Sequence, residues 1–268
     1  MNTIDQKRSL GILQRSESEK KFQLSRYAPS DPLLPFIKHY WIINWDLEGH
    51  APHFQDVVPN PCVNLVIEDH QSGIYGVASQ MYTKKIEGKG RVFGIKFQPG
   101  GFYPFLNSPL SGLTDQALSI QAVFGTEAIA YEQQLRLAAD PAGMIELTEA
   151  FLLRHLPQPD ESITLVNQII LRIHEDQELT KVEQLCETFD INKRKLQRLF
   201  SQYVGITPKW VIKLYRLQNA AEAIDKSTHY DSLKLSAELG YYDQSHFIKD
   251  FKSIIGKTPD EYAKRQAL

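Results

Sequence analysis

Two short runs of this sequence carry side chains of the kinds that hydrogen-bond nucleic acid. At about 100° per residue, Arg194, Lys195, Arg198 and Ser201 fall on one side of a helix. Ser245, His246, Lys249 and Lys252 fall on one side of another. Guanidinium, ammonium, imidazole and hydroxyl groups spaced in this way can meet base edges in a major groove or phosphates beside it. From Lys193 to Arg216 there are seven basic residues (Lys193, Arg194, Lys195, Arg198, Lys209, Lys213, Arg216) and no acidic one. A face that is merely solvated would mix signs.

Both runs sit at matching places in a repeat. Phe200, Gly205 and Thr207-Pro208 recur 51 residues later as Phe251, Gly256 and Thr258-Pro259. Each copy reads as a short helix, a turn and a second helix. The turns are Asp190-Ile191 and Gly240-Tyr241-Tyr242, with Asn192 and Asp243 as N-caps of the second helices. Leu196, Phe200 and Tyr203 in one copy, and Phe247, Phe251 and Ile254 in the other, form apolar stripes that must face a core. Gly205 and Gly256 suit left-handed helix ends, and each Thr-Pro pair starts the next helix, with Glu261 completing a capping box. A pair of helix-turn-helix units follows. The apolar positions from Pro208 to Asp225 predict a connecting helix of about 26 Å. Such a strut could hold two recognition helices about 34 Å apart, one turn of B-DNA.

These residues resemble the DNA-binding domain of the AraC/XylS family of bacterial transcription regulators. The resemblance rests on Leu185-Cys186, Asn192, Leu196, Arg198, Phe200, Gly205 and Pro208 in the first half. In the second it rests on Ala237, Gly240-Tyr241, Asp243, Ser245, Phe247, Lys249, Phe251, Gly256 and Pro259, with Tyr215-Arg216-Leu217 and Ala220 between. It covers about residues 161–265 and implies seven helices, binding to double-stranded promoter DNA and contact with RNA polymerase during activation. The expected base-reading residues are Arg194, Gln197, Arg198, Gln244, Ser245, His246 and Lys249; Gln197 and Gln244 enter through the resemblance alone. Lys193, Lys195, Lys209 and Lys252 are the expected phosphate contacts. Lys249 stands where the family usually has Arg, and an ammonium lacks the guanidinium's bidentate fork.

Residues 22–97 read as strands. Phe22–Tyr27, His39–Leu47, Phe54–Val58, Val63–Glu68, Ile74–Val77 and Gly90–Phe97 are aromatic or β-branched and are separated by Pro, Gly and Asn. An antiparallel barrel or sandwich is expected, followed by helices over Thr126–Ala139 and Pro141–Leu156. Tyr40-Trp41, Val58–Leu65, Gly76, Gly94–Gly101, Leu113–Asp115 and Phe124-Gly125 resemble a cupin-like sensing domain that precedes this DNA-binding domain in some family members. The resemblance implies a small-molecule effector pocket and homodimer contacts. Tyr40, Trp41, Trp45, Phe54 and Tyr75 are the pocket candidates, against the plainer reading that they fill the interior. The expected fold class is thus α+β: a β-rich regulatory part with trailing helices over 1–156, a linker at 157–160, and an all-α DNA-binding part over 161–268. Residues 1–20 read as a loose polar arm.

Other chemistries fit poorly. His39, His50, His53 and His70 lie near Glu68, yet metal-binding cupins place two histidines one residue apart on one strand, so loop histidines without a metal are expected. Cys62 reads as a small buried residue rather than a redox sensor. Two cysteines cannot supply the four-cysteine zinc cluster of related repair proteins, nor a disulfide framework, and a reducing cytoplasm fits. No nucleophile elbow or phosphate loop is present, so no enzyme and no cofactor are expected. No apolar run approaches a membrane span. Net charge is −2, and Asp160–Leu268 holds sixteen basic and sixteen acidic residues, so local patches must do the binding. The expectation is an activator that answers a small molecule. The rival readings are a constitutive DNA-binding protein whose first part only dimerises, and a ligand-binding or catalytic barrel with a helical appendage.

Overall fold

The computed structural model describes residues 21–69, 71–158, 160–226 and 230–264. The polar arm expected at 1–20 and His70 lie outside them. The first part is built on β1 (Gln23–Tyr27), β2 (Ile37–Leu47), β3 (His53–Val57), β4 (Asn64–Ile67), β5 (Gly73–Tyr75), β6 (Tyr82–Ile86), β7 (Gly88–Phe97) and β8 (Ala117–Leu118). Six of these strands form an antiparallel sheet in the order β1-β2-β7-β4-β5-β8, and β3 pairs with β6 in a separate ribbon. The sheet has two free ends, so no barrel closes; the sandwich of the two alternatives is what forms.

Alternation gives the large sheet two apolar faces. Tyr40, Ile42, Leu65, Ile67, Phe93, Ile95 and Phe97 are buried against helices. Those helices are α1 (Tyr103–Leu106), α2 (Ile120–Phe124), α3 (Glu127–Leu137) and α4 (Pro141–Arg154). The other face, with Leu24, Trp41, Ile43 and Val66, looks across a cavity toward the β3–β6 ribbon. The sequence reading misses β6 because Tyr82-Thr-Lys-Lys-Ile86 buries only its last residue. It also misses α1, α2 and β8, each five residues or fewer.

The second part is α5 (Glu161–Glu175), α6 (Val182–Thr188), α7 (Lys193–Tyr203), α8 (Pro208–Lys226), α9 (Ser232–Glu238), α10 (Gln244–Ile255) and α11 (Pro259–Lys264). These are seven helices among the described residues. Leu196, Phe200 and Tyr203 on α7, and Phe247, Phe251 and Ile254 on α10, are all buried, as the stripes require. Asn192 caps α7 by accepting the Lys195 N–H at 2.8 Å, and Asp243 caps α10 by accepting the His246 N–H at 2.7 Å. The stretch around 157–160 does not leave the two parts independent. Asp160 accepts the Ser162 N–H at 2.8 Å through one carboxylate oxygen and the Tyr203 hydroxyl through the other. One apolar core runs from Leu33 on the sheet side through Ile163 and Val166 of α5 to Phe200 and Tyr215.

Two substitutions test these local rules. Trp41 lies directly across from Gly94, and Trp45 across from Gly90. A methyl group at Gly94 would sit 2.0 Å from the Trp41 ring. Gly94→Ala should therefore lower unfolding stability by about 1–3 kcal/mol through overpacking; denaturant unfolding at unchanged midpoint would show that the ring has room to move. Asn192→Ala should lose about 1 kcal/mol with its cap, read by thermal unfolding.

Candidate nucleic-acid interface

A helix can enter a groove only where its side chains are free of the fold. On α7 the side chains of Arg194, Lys195, Gln197, Arg198 and Ser201 are exposed, while Leu196 and Phe200 anchor the opposite side. On α10 Ser245, His246, Lys249 and Lys252 are exposed, and Gln244 is half-buried. Lys209, in the first turn of α8, is exposed too. Both helices present their first turns outward, with the capped N-terminus positively polarised toward an approaching phosphate.

The basic run from Lys193 to Arg216 separates into different jobs. Arg194, Lys195, Arg198 and Lys209 stay exposed. Lys193 pairs with Glu183 at 2.8 Å, and that hydrogen bond holds the ammonium above its ordinary pKa and the carboxylate below its own. Lys213 reaches across from α8 to Asp250 on α10 at 3.3 Å. Arg216 donates to the Leu239 carbonyl and lies over the Tyr241 ring, 4.6 Å from its centroid. Lys213 and Arg216 therefore clamp the second unit onto the connecting helix, and the sequence count that placed them in one cationic patch mixes two roles. Asp250 gathers the same unit from the other side: it accepts from the Tyr241 hydroxyl at 3.2 Å and lies 3.5 Å from the His246 ring. Burial, and then this carboxylate, push the Tyr241 phenol's pKa upward, so it stays a donor.

The two copies are not identical. Asp190 and Gly240 are the left-handed turn residues, at φ 47° and 71°. One residue, Ile191, separates the first from its cap, whereas Tyr241 and Tyr242 separate the second. Ile191 and Tyr241 both donate their N–H back to the preceding helix, at 3.0 Å to Cys186 and Ser236. The extra residue is thus Tyr242, which is fully exposed beside the start of α10. The sequence reading puts Tyr242 in the turn but misses its projection; the offset changing from 51 to 50 residues at Gly240 is the signal that locates it.

The far ends of α7 and α10 are held by the β-rich part. Gln202 donates to the Tyr103 hydroxyl at 2.6 Å, and Thr114 donates to the Gly205 carbonyl at 2.6 Å. Gly205 has φ 90°, and a Cβ there would lie 2.6 Å from the Leu110 carbonyl, so both conformation and contact require glycine. At the second unit the Met81 N–H donates to the Ile254 carbonyl at 3.2 Å, Lys257 pairs with Asp56, and Gln218 donates to the Pro59 carbonyl at 3.0 Å.

The pocket candidates divide by strand parity. Trp41, Trp45 and Tyr75 line the cavity between sheet and ribbon, whose volume is about 950 Å³. Tyr40 points to the opposite face, where its hydroxyl donates to Glu149 at 3.2 Å, and Phe54 projects to solvent. Of the histidines expected in loops, His50 is in a turn, His53 begins β3, and His39 is buried on β2 facing the cavity. Burial and the nearby Lys96, Arg26 and Lys38 lower the His39 pKa to about 2, so its ring is neutral.

Residues 185–265 match the family described as "Helix-turn-helix domain", and residues 25–119 match "Domain of unknown function (DUF6597)". An uncharacterised helix-turn-helix-type transcriptional regulator of Haemophilus influenzae is 32% identical over 87 residues, 32% of this chain and 29% of that protein. The F1 operon positive regulatory protein of Yersinia pestis is 34% identical over 99 residues, 36% of this chain and 33% of that protein. The chain thus spans about a third of the length of these curated relatives. The crystal structure of apo ToxT from Vibrio cholerae overlaps 95% of each chain at 10% identity and a TM-score of 0.35. The two helix-turn-helix units on one connecting helix thus coincide with the stretch that matches a helix-turn-helix domain, and the β-rich part before them holds the stretch that matches DUF6597.

Proposed function

We propose that this protein is a sequence-specific regulator of transcription that binds double-stranded DNA through α7 and α10 and answers a small molecule held in its β-rich part. The observation that carries the reading is the pair of capped helices, each buried along one side and offering free polar and cationic side chains along the other. Arg194, Gln197 and Arg198 read bases in one major groove, and Gln244, Ser245, His246 and Lys249 read the next. Lys195, Lys209 and Lys252 bind phosphates; Lys193 does so only after leaving Glu183. α8, with 19 residues, is about 28 Å long, which suits recognition helices one turn of DNA apart. Tyr242 adds a fully exposed ring beside the second reading helix, placed to stack or hydrogen-bond at the edge of the groove.

The chain divides in this reading into a sensing part over 1–156 and a DNA-binding part over 161–268. Activation is supported by the relative from Yersinia pestis, whose name is that of a positive regulator, and contact with RNA polymerase is what an activator of this kind needs. The joining of the β-rich part to α7, to the connecting helix α8 and to α10 supports regulation through contact rather than through a loose tether. A regulator rather than an enzyme is the reading that the relatives favour, and a cytoplasmic site of action goes with it.

Purified full-length chain, mixed with fragments of its own genome, should retain a small set of sequences against excess competitor DNA. Retention without any sequence preference would sink the proposal. On a retained site, Arg198→Ala should weaken binding by about 1–3 kcal/mol and relax preference at one base pair, as read by footprinting on a set of single-base variants. Lys209→Ala should weaken every site alike and lower the salt slope by about one phosphate contact. A loss confined to one site sequence would contradict the phosphate role.

A further inference from the structure

The chain has two cysteines, and the fold places them in different surroundings. Cys186 on α6 is partly exposed, and Lys193, the ammonium that feels it, already pairs with Glu183 at 2.8 Å. Cys62 is 2% exposed, yet it lines the cavity between sheet and ribbon. A reagent therefore reaches Cys62 by way of the cavity and not from bulk solvent. Lys96 of β7 lines the same cavity, and its direct partner across the sheet is Asn64, two residues beyond Cys62. Lys96 is 8% exposed and has no ion pair or hydrogen bond among the described residues.

A lysine this deep is ordinarily paired, because an ammonium taken from water without a partner is strongly disfavoured. Burial pulls the Lys96 pKa down to about 8, Cys62 opposes the fall, and Lys38 and Arg26 add to it. The side chain thus keeps its charge at neutral pH. Asn60 lines the cavity too, and its backbone carbonyl accepts the Cys62 N–H at 2.7 Å. Its Oδ1 is buried without a hydrogen-bond partner among the described residues. A donor and an acceptor are therefore both left unpaired beside a thiol. Reactive cysteines are marked by a neighbouring cation, whereas inert ones lie in apolar surroundings.

We propose that Cys62 is a covalent attachment site for small conjugated carbonyl compounds, with Lys96 as the group that activates the carbonyl. The sulfur bonds to the β-carbon of the C=C–C=O unit, and the π pair moves onto the carbonyl oxygen. The α-carbon then takes a proton in place of the one the thiol gives up. The sum is addition of S–H across the double bond, with no leaving group and no oxidant. The Lys96 ammonium donates to the carbonyl oxygen and holds the negative charge that gathers there. A hydroxyl or amide N–H on the same molecule pairs Asn60. The volume of about 950 Å³, lined by Trp41, Ile43 and Val66, has room for the carbon body. Cys62 also acts electrostatically on Tyr215 of α8. Close by in the chain, Val58 packs in the core of the second helix-turn-helix unit, and the Pro59 carbonyl accepts from Gln218 on α8. An adduct thus enlarges a side chain at the seat of the connecting helix. The attachment site stands on its own surroundings; its role as a signal rests on the reading of the β-rich part as the sensing half.

The test uses the full chain and 2-cyclohexen-1-one, with saturated cyclohexanone as the control, and adducts are located by mass spectrometry of peptides. The enone should attach at Cys62 before it attaches at the more exposed Cys186, and cyclohexanone should attach at neither. Lys96→Met should slow the addition at Cys62 about tenfold or more, as loss of a donor to a developing oxyanion predicts, with the fold unchanged by circular dichroism. Lys96→Gln serves the same purpose if the Met variant fails to fold. Lys96→Arg should keep most of the rate, because it keeps the cation. Labelling of Cys186 first, or no adduct at Cys62 with millimolar enone, would overturn the proposal. So would a Met or Gln variant that reacts as fast as the unaltered chain. Gel shifts on a retained DNA site separate the two readings: a complete adduct should change the affinity about fivefold or more. An adduct that leaves DNA affinity unchanged removes the signalling role and leaves the attachment site intact. Specific DNA binding by a chain that forms no adduct removes the site and leaves the regulator reading intact.

Discussion

The arrangement of this molecule depends on the clamping of two helix ends. α7 finishes against Tyr103, Leu110 and Thr114, and α10 finishes against Met81, with Asp56 gripping Lys257 just beyond. Each helix also loses its apolar side to a core. With one end and one side committed, only the opposite side and the first turn remain for another molecule. That is why the exposed cations are found together although the helical part is neutral overall. The direction in which those side chains project is set both by the helical cores and by contacts with the β-rich part.

Much of the helical part could be read from sequence because its determinants are local. The stripe Leu196, Phe200, Tyr203 and the caps Asn192 and Asp243 depend on residues within a few positions, and each forms as its spacing predicts. Charge was harder to read. Arg216 and Lys213 count as cations in any window, but an aromatic ring and a carboxylate from another helix decide what they do. Tyr242 was hidden for a related reason: an insertion of one residue shows only when both copies are aligned at their turns rather than at their helices.

The cavity was less legible. Aromatic content singles out Tyr40 and Trp41 together, yet neighbours on a strand face opposite sides and cannot share a pocket. Parity restores Trp41 and Trp45 and removes Tyr40, and the facing glycines at 94 and 90 give the two rings room. Nothing in the order of residues brings Lys96 beside His39; strands far apart in the chain do so. The ribbon that covers the cavity includes β6, whose lysines disguise it as a loop.

The unequal turns have a geometric consequence. One residue lies between Asp190 and its cap and two lie between Gly240 and its own, so the halves of the proposed reading surface cannot be exchanged by any rotation of the molecule. A surface without such symmetry matches a duplex in one heading only. In the proposed mode of binding, reversing the duplex would present each helix with the sequence meant for the other. A single chain bound in this way would act as an arrow on the double strand, with the β-rich half carried on a defined flank, and upstream would differ from downstream before any second copy arrives.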